Sequence, residues 1–445
     1  MPVTSFPPVA IDLLVSAGSI VPIEPAGVVL EQHALAIDKG RILAVLPTRE
    51  ARARYQPRES LDLPGHALMP GLVNLHAHSA MSVLRGIADD LPLMEWLQGH
   101  MWPAEAAHMG TAFCRDGVNL AMAEMIRSGQ TCVNDMYFFP DATAQAVRQA
   151  GMRAAVGLIV IDFPSAWAQS GEYIHKGLAL HDALRGEPLI KTIFAPHAPY
   201  TVSDPLLRQV RQYATELGIG IHMHIHETAD EVAQGVARNG KRPWQHLRDL
   251  EFLGPDLIAV HMTQLTDEEI EEVAHYGVHV AHCPESNLKL ASGFCPVHRL
   301  QMAGANVGIG TDGAASNNDL DLFGELRTAS LMAKGVTLDA RAVPAAKALE
   351  MATLAGARAL GWDDQIGSLL PGKAADFIAV DLSAVNTQPV YNVISHLAYA
   401  VNSRQVDYVW VAGRPLLAEG RLLTLVEDEL RAKAAEWRHK ITGKH

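Results

Sequence analysis

From residue 68 onward, short apolar runs alternate with amphipathic stretches, and the two differ in period. The apolar runs have strand length and fall at 68–78, 131–137, 152–160, 189–197, 219–225, 257–263, 278–284 and 306–312. Strands buried on both faces of a parallel sheet read this way, as near-continuous apolar segments bounded by turn residues. Between them the apolar spacing predicts helices, among them Ala104–Ser128, Ala142–Ala150, Pro205–Leu217, Asp267–Tyr276 and Pro296–Ala303. Gly129, Gly151, Gly218, Gly277 and Gly304 each close such a stretch, where helices commonly end in a left-handed residue. Eight strand-then-helix units in about 250–300 residues predict a (β/α)8 TIM barrel. A doubly wound open sheet is the alternative, but no glycine-rich dinucleotide fingerprint opens the region.

The chain ends follow a different pattern. Before residue 66 no long helical period occurs. Short strands are predicted at Ile11–Val15, Ala34–Ile37 and Arg41–Val45, with Asp38-Lys39-Gly40 as a hairpin turn. Strand pattern returns at Leu369–Val380 and at Tyr408–Arg414. Strands flanking a barrel on both sides predict one small β-sandwich domain built from both termini. The expected division is 1–67 for the first part of that domain, 68–368 for the barrel, and 369–445 for the second part with a terminal helix.

Composition narrows the function. The 445 residues suffice for a large core, and 49% hydrophobic with 19% charged is ordinary for a globular protein. A formal charge of −13 argues against nucleic acid as a partner, because phosphate binding needs a basic surface. The one basic segment, Leu430–His445, reads as a solvated C-terminal helix. Cys114, Cys132, Cys283 and Cys295 form no C-x-x-C pair, so they read as buried thiols of a cytoplasmic protein. Met1–Ile20 has no basic residue ahead of its apolar stretch, so no signal peptide is expected. No apolar run reaches the ~18 residues of a membrane span.

The candidate chemistry sits at the strand ends. His76-Ala77-His78 closes the first strand, and alternate residues of a strand share a face, so the two imidazoles form a potential metal-ligand pair. With 21 His in the chain, one such pair is weak evidence. The other predicted strand ends strengthen it. They carry His197, then His222, His224 and His226 followed by Glu227, then His261, His282 and Asp312. Barrel enzymes place their catalytic groups at these C-terminal strand ends, and so many His and Asp converging on one mouth point to a metal site.

The runs PGLVNLHAH, HMHIHET, AVHMT, AHCPESNLKLASG and GTDGAASNNDLDLFGELR, with IGSLLPGKAADFIAVD after them, resemble the amidohydrolase superfamily. Within it they are most similar to the deaminases of methylthioadenosine and S-adenosylhomocysteine. The resemblance spans nearly the whole barrel. It implies one Zn2+ per chain, with Fe2+ as an alternative, held by His76, His78, His224 and Asp312. It further implies Glu227, His261 and Asp312 as catalytic groups. Asp312 would take a proton from water, His261 would hold that water, and Glu227 would protonate the purine ring. His222 and His226 are then expected in a supporting shell. Binuclear relatives carry a bridging Lys on the third or fourth strand; the third strand has none, and the fourth ends in His197.

Trp102 and His197, with Glu227, are the expected substrate contacts. The family pattern places an acidic residue two before this Trp to grip a ribose, and His100 stands there instead. The loop after the third strand offers Phe163 and Trp167 but no cation; Arg85 and Lys289 are the only basic residues in the first and seventh loops. An apolar 5′ substituent suits such a pocket, so methylthioadenosine is expected ahead of adenosine and S-adenosylhomocysteine. Other heterocycles (guanine, 8-oxoguanine, cytosine, triazines) are the alternative substrates. A non-catalytic scaffold is a third reading, which the intact residue set disfavours. The expected partner is a small-molecule nucleoside, without nucleic acid or membrane, and the expected assembly is a homo-oligomer.

Overall fold

The computed structural model describes residues 8–443. Met1–Pro7, at the head of the apolar N-terminal stretch, and Lys444–His445, at the end of the basic tail, lie outside the described residues. Eight parallel strands stand side by side in chain order: Leu72–Ala77, Gln130–Asp135, Arg153–Val160, Ile190–Pro196, Ile221–Ile225, Leu257–His261, His279–His282 and Val307–Ile309. They are called barrel strands 1 to 8 below. Every residue of strands 1, 2 and 3 is buried, the polar Asn74, Gln130, Asn134 and Asp135 included, so these segments lack the polar alternation of a strand with one solvated face. Strands 1 and 8 meet through few bonds. The Asp312 N–H donates to the His76 carbonyl at 3.0 Å, and the Thr311 N–H donates to Asn74 Oδ1 at 3.1 Å. The barrel is thus closed by residues of the site itself.

The chain ends form a second, mixed sheet of eight strands. Its order is Arg421–Leu422, Arg414–Ala418, Val406–Val411, Phe377–Asp381, Tyr55–Pro70, Val9–Ile20, Leu30–Asp38 and Arg41–Pro47. The sheet curls back on itself, since the Ile42 N–H donates to Lys373 O at 2.9 Å and the Ala375 N–H to Gly40 O at 2.9 Å. Leu13, Val15, Leu35, Ile37, Phe377 and Trp410 fill the enclosed core. Buried Arg153 ties this sheet to the barrel. Its guanidinium donates to Asp376 through Nε at 3.0 Å and Nη2 at 3.1 Å.

Several boundaries differ from the sequence pattern. The run 68–78 is two strands. Leu68–Pro70 ends the long strand Tyr55–Pro70 and pairs with Phe377–Ala379 in the small sheet, whereas the barrel strand starts at Leu72. Gly71 makes the joint, where a Cβ would lie 2.1 Å from Thr131 Cγ2. The rest of Tyr55–Pro70, with Pro57, Pro64 and the charged Arg58, Glu59 and Asp62, carries no strand pattern of its own and is held by its parallel neighbour Val9–Ile20. The predicted helix Ala104–Ser128 is two, Trp102–His108 and Thr111–Arg127. A short helix, Thr48–Arg54, stands where only strands were expected. The glycine ends hold: Gly151, at φ +78°, closes Pro140–Ala150 with its N–H on Val147 O at 2.9 Å.

The terminal helix Glu427–Thr442 is solvated along most of its length but docked through buried Trp437. That indole packs edge-on against Phe113, centroids 5.3 Å apart, and donates to Asp116 Oδ2 at 3.0 Å. All four cysteines are buried and free. Among the described residues no helix is long and apolar enough to cross a membrane.

Candidate active site

The C-terminal ends of the barrel strands bring together the imidazoles of His76, His78, His224 and His261 and the carboxylate of Asp312. One donor atom each from His76, His78 and Asp312 lie within 4.8 Å of one another, as do those of His76, His224 and His261. Asp312 Oδ1 is 3.2 Å from Nε2 of both His76 and His78, and His224 Nε2 is 3.2 Å from His76 Nε2.

Their surroundings settle which ring nitrogen faces inward. The His78 Nδ1–H donates to Met136 O at 2.6 Å, and the His224 Nδ1–H donates to His197 O at 2.7 Å. A carbonyl only accepts, so each Nδ1 carries the proton and each Nε2 keeps its lone pair for the cluster. His76 Nδ1 contacts His222 Nε2 at 2.9 Å, so His222 supports from behind rather than joining the donors. His226 turns away, because strand 5 ends at Ile225 and His226 takes a left-handed φ of +54°. Its Nε2 accepts the Trp244 N–H at 3.1 Å. His282 is fully buried off the pocket wall, and neither ring nitrogen has a hydrogen-bond partner among the described residues.

The electrostatics separate two carboxyls. Burial opposes ionisation of Asp312, but the His76 hydrogen bond and the surrounding imidazoles outweigh it and hold the group well below the usual carboxylate range. Its Oδ2 accepts from Ser286 Oγ at 2.6 Å and Ser316 Oγ at 2.8 Å. Burial, with the Asp312 charge second, pushes Glu227 up to about 8. Its Oε2 lies 3.8 Å from His261 Nε2, while His261 Nδ1 is held by Asn287 Oδ1 at 2.8 Å. Burial lowers His76 to about 4 and His197 to about 3, so both rings are neutral. A carboxylic acid and a carboxylate thus stand in one pocket, the pattern that separates acid from base.

The pocket above these groups is mostly apolar. Met81, Leu93, Trp96, Leu97, Met101 and Phe138 are among its walls. Trp102, His197 and Phe163 line it, with Trp102 and Phe163 edge to face at 6.5 Å. Trp167 does not; it packs on Tyr173 and under Lys176. His100 is exposed and off the wall. The carboxyl that does reach the pocket is Glu105, which accepts from Tyr137 Oη at 2.5 Å. Sequence reading passed over it, because one Glu on a short helix carries no mark of the face it takes. Neither Arg85 nor Lys289 lines the pocket. Arg85 is bound to Glu124 and to Asn318 O at 2.5 Å, and Lys289 to Asn318 and to Asp89 at 2.6 Å. A larger cavity of about 900 Å3 opens at the opposite end of the barrel, beside Lys191, Arg211 and Asp256. It is remote from the site, and its Arg211 is already paired with Asp256.

Comparison with known proteins gives the family. Residues 67–416 match the model of the amidohydrolase family. A 5-methylthioadenosine/S-adenosylhomocysteine deaminase of Saccharophagus degradans is 51% identical over 431 residues, covering 97% of each chain. One of the same name from Teredinibacter turnerae is 50% identical over 435 residues, covering 98% of each. A crystal structure of an adenosine deaminase from Xanthomonas campestris, with bound zinc, superposes with a TM-score of 0.97 at 55% identity, covering 98% of this chain and 100% of that one. An atrazine chlorohydrolase from Arthrobacter aurescens shares the fold, with a TM-score of 0.89 at 24% identity over 96% of this chain and 99% of that one. A family match across most of the chain, with relatives at half identity, makes this protein a metal-dependent hydrolase of the amidohydrolase family.

Proposed function

We propose that the protein is a zinc aminohydrolase that converts an adenine nucleoside, 5′-methylthioadenosine foremost, to its inosine analogue and ammonia. The observation that carries this reading is Glu227. It is a carboxyl pushed up to about 8 beside a cluster of inward-facing imidazole lone pairs and an ionised Asp312. The donor set suits a divalent cation, with His76, His78, His224 and Asp312 as the ligands. Zinc in that cradle supplies Lewis acidity and lowers the pKa of water toward 7. A single ion fits the absence of a bridging Lys: the one Lys of barrel strand 4, Lys191, sits at the strand's far end with its Nζ on Gly361 O at 2.8 Å. The relative from Xanthomonas campestris with bound zinc supports zinc as the metal.

The residues then divide the work. Neutral His261, its Nδ1–H engaged by Asn287, accepts at Nε2 and orients the attacking water. Asp312, kept anionic, takes that water's proton. Glu227 arrives protonated and donates to the ring nitrogen next to the attacked carbon. That breaks the aromaticity of the base; the carboxylate left behind takes the proton of the hydroxyl added to that carbon and passes it to the departing ammonia, and the proton held by Asp312 restores Glu227. Trp102 and Phe163 cover the flat base from the mouth. Glu105, in place of the residue expected at position 100, accepts from the ribose hydroxyls.

His197 contacts the substrate rather than the metal. Its Nδ1 is bound to Thr201 Oγ1 at 2.9 Å, and only its backbone carbonyl holds His224. His197→Ala is expected to keep full metal content while raising KM or lowering kcat. Elemental analysis showing metal lost from this variant contradicts the assignment.

Substrate preference follows from the absence, among the described residues, of a Lys or Arg on the pocket wall. The amino acid tail of S-adenosylhomocysteine ends in a carboxylate, which calls for Arg or Lys donors. Arg85 and Lys289 are tied to Glu124 and Asp89. Phe163 and the apolar walls suit a methylthio group. Ammonia release from purine nucleosides tests both function and order. Methylthioadenosine is expected to give the highest kcat/KM, with adenosine next and S-adenosylhomocysteine behind. A clear preference for S-adenosylhomocysteine overturns the order, and no release from any adenine nucleoside overturns the function.

A further inference from the structure

A further carboxyl lies behind the site and takes no part in the chemistry above. Glu231, 7% exposed, is the third residue of the helix Ala229–Asn239 that follows barrel strand 5. A Glu at this position commonly accepts the N–H of the helix N-cap residue. The N-cap here is Thr228, whose Oγ1 does accept the Glu231 N–H at 3.1 Å. The Glu231 carboxylate reaches further back. Its Oε1 accepts the N–H of His226 at 3.0 Å, and its Oε2 accepts the N–H of Glu227 at 2.6 Å.

Those two N–H groups belong to the turn that aims Glu227. The strand stops at Ile225, His226 adopts a left-handed φ of +54°, and Glu227 leaves the barrel wall. Thr263 closes the other side of the turn. Its N–H donates to His226 O at 3.0 Å and its Oγ1–H donates to Glu227 O at 2.6 Å. Glu227 is therefore gripped at its N–H by one side chain and at its carbonyl by another, with its own carboxyl 3.8 Å from His261.

We propose that Glu231 is a positioning residue for the deamination: by holding the N–H groups of His226 and Glu227, it sets where the Glu227 carboxyl stands against the purine ring. The inference rests on the proton-transfer role given to Glu227 above. Proton transfer needs a heavy-atom separation of about 2.6–3.2 Å, and a misplacement of about 1 Å costs on the order of 10²-fold. Both carboxylate oxygens are in use, so Gln at this position retains one acceptor and turns an NH2 toward the other N–H.

The test is a double-mutant cycle on methylthioadenosine deamination, with metal content and melting temperature recorded for each variant. Glu231→Gln is expected to lower kcat by about tenfold or more, with KM little changed and metal content equal to the parent. In a Glu227→Gln background the same change is expected to cause no further loss, because the group it positions is already disabled. Equal fold-losses in both backgrounds mark a merely structural brace and overturn the proposal. A parental kcat for Glu231→Gln alongside a collapsed Glu227→Gln overturns it too, leaving the function untouched. Near-full activity of Glu227→Gln removes the proton-transfer role on which this inference rests and overturns the inference, while the deamination itself stands. Should Glu231→Gln fail to fold, Glu231→Asp, which retracts the carboxylate by one methylene, carries the same comparison.

Discussion

Glu227→Gln is expected to keep the metal and lose turnover by roughly 10² or more, the scale of lost general acid–base help. The substitution keeps the size of the side chain and removes only the transferable proton. No donor atom of the metal cluster belongs to Glu227, whose Oε2 lies 3.8 Å from His261 Nε2. Metal content is therefore expected to match the parent. The group's elevated pKa, about 8, has burial as its main cause and Asp312 as the second. At neutral pH the side chain enters the reaction protonated, which a purine ring nitrogen requires. Steady-state kinetics on methylthioadenosine with elemental analysis of the same sample settles the point. Turnover close to the parent's excludes Glu227 as the proton donor, and loss of metal places it among the ligands instead.

His224→Ala is expected to act in the opposite sense, losing the metal and with it all but background activity. Elemental analysis of the parent is expected to find one divalent ion per chain; none, or reproducibly two, contradicts the proposed site. His224 is oriented from behind by its Nδ1–H on the His197 carbonyl at 2.7 Å. Disturbing such an outer partner alone typically costs about 10–100-fold in metal affinity, and removing the ligand costs more. The donors left behind lie close together: His76 Nε2 is 3.2 Å from Asp312 Oδ1, as is His78 Nε2. Those three donors all come from the ends of barrel strands 1 and 8, so the side of the proposed ligand set that strand 5 supplies is lost. A His224→Ala protein with its full metal complement and a folded barrel removes His224 from the ligand set.

These two variants separate roles that the sequence places only three residues apart. His224 points into the barrel, because it lies within Ile221–Ile225, where side chains alternate between faces. Glu227 lies beyond that alternation. The left-handed turn at His226 redirects it, and the same turn withdraws His226 from the face it would otherwise share with His222 and His224.

The eight barrel strands were legible in the chain because each is short and nearly all of its residues are buried, a pattern carried by consecutive residues. The glycines that end the helices, the hairpin turn at Asp38-Lys39-Gly40, and the His and Asp residues at strand ends were legible for the same reason. His76, His78, His224, His261 and Asp312 could be expected near one another once the strands were counted, since a barrel gathers strand ends at one mouth. Elements whose cause lies far away in sequence were not legible. Tyr55–Pro70 is a strand because Val9–Ile20 pairs with it, and the run 68–78 divides at Gly71 because two sheets claim its halves.

The same distinction applies to the pocket. Sequence alone determined that Arg85 and Lys289 are the basic residues of the first and seventh loops and that the third loop carries no cation. Only the tertiary structure decided that Glu105 turns into the pocket and accepts from Tyr137, whereas Arg85 and Lys289 turn away to Glu124 and Asp89. Local periodicity reports which residues avoid water. A charged side chain on a short helix or loop gives no such report, since its direction is set by whichever opposite charge or hydroxyl the fold brings within hydrogen-bonding reach. Those partners lie 32, 39 and 200 residues away.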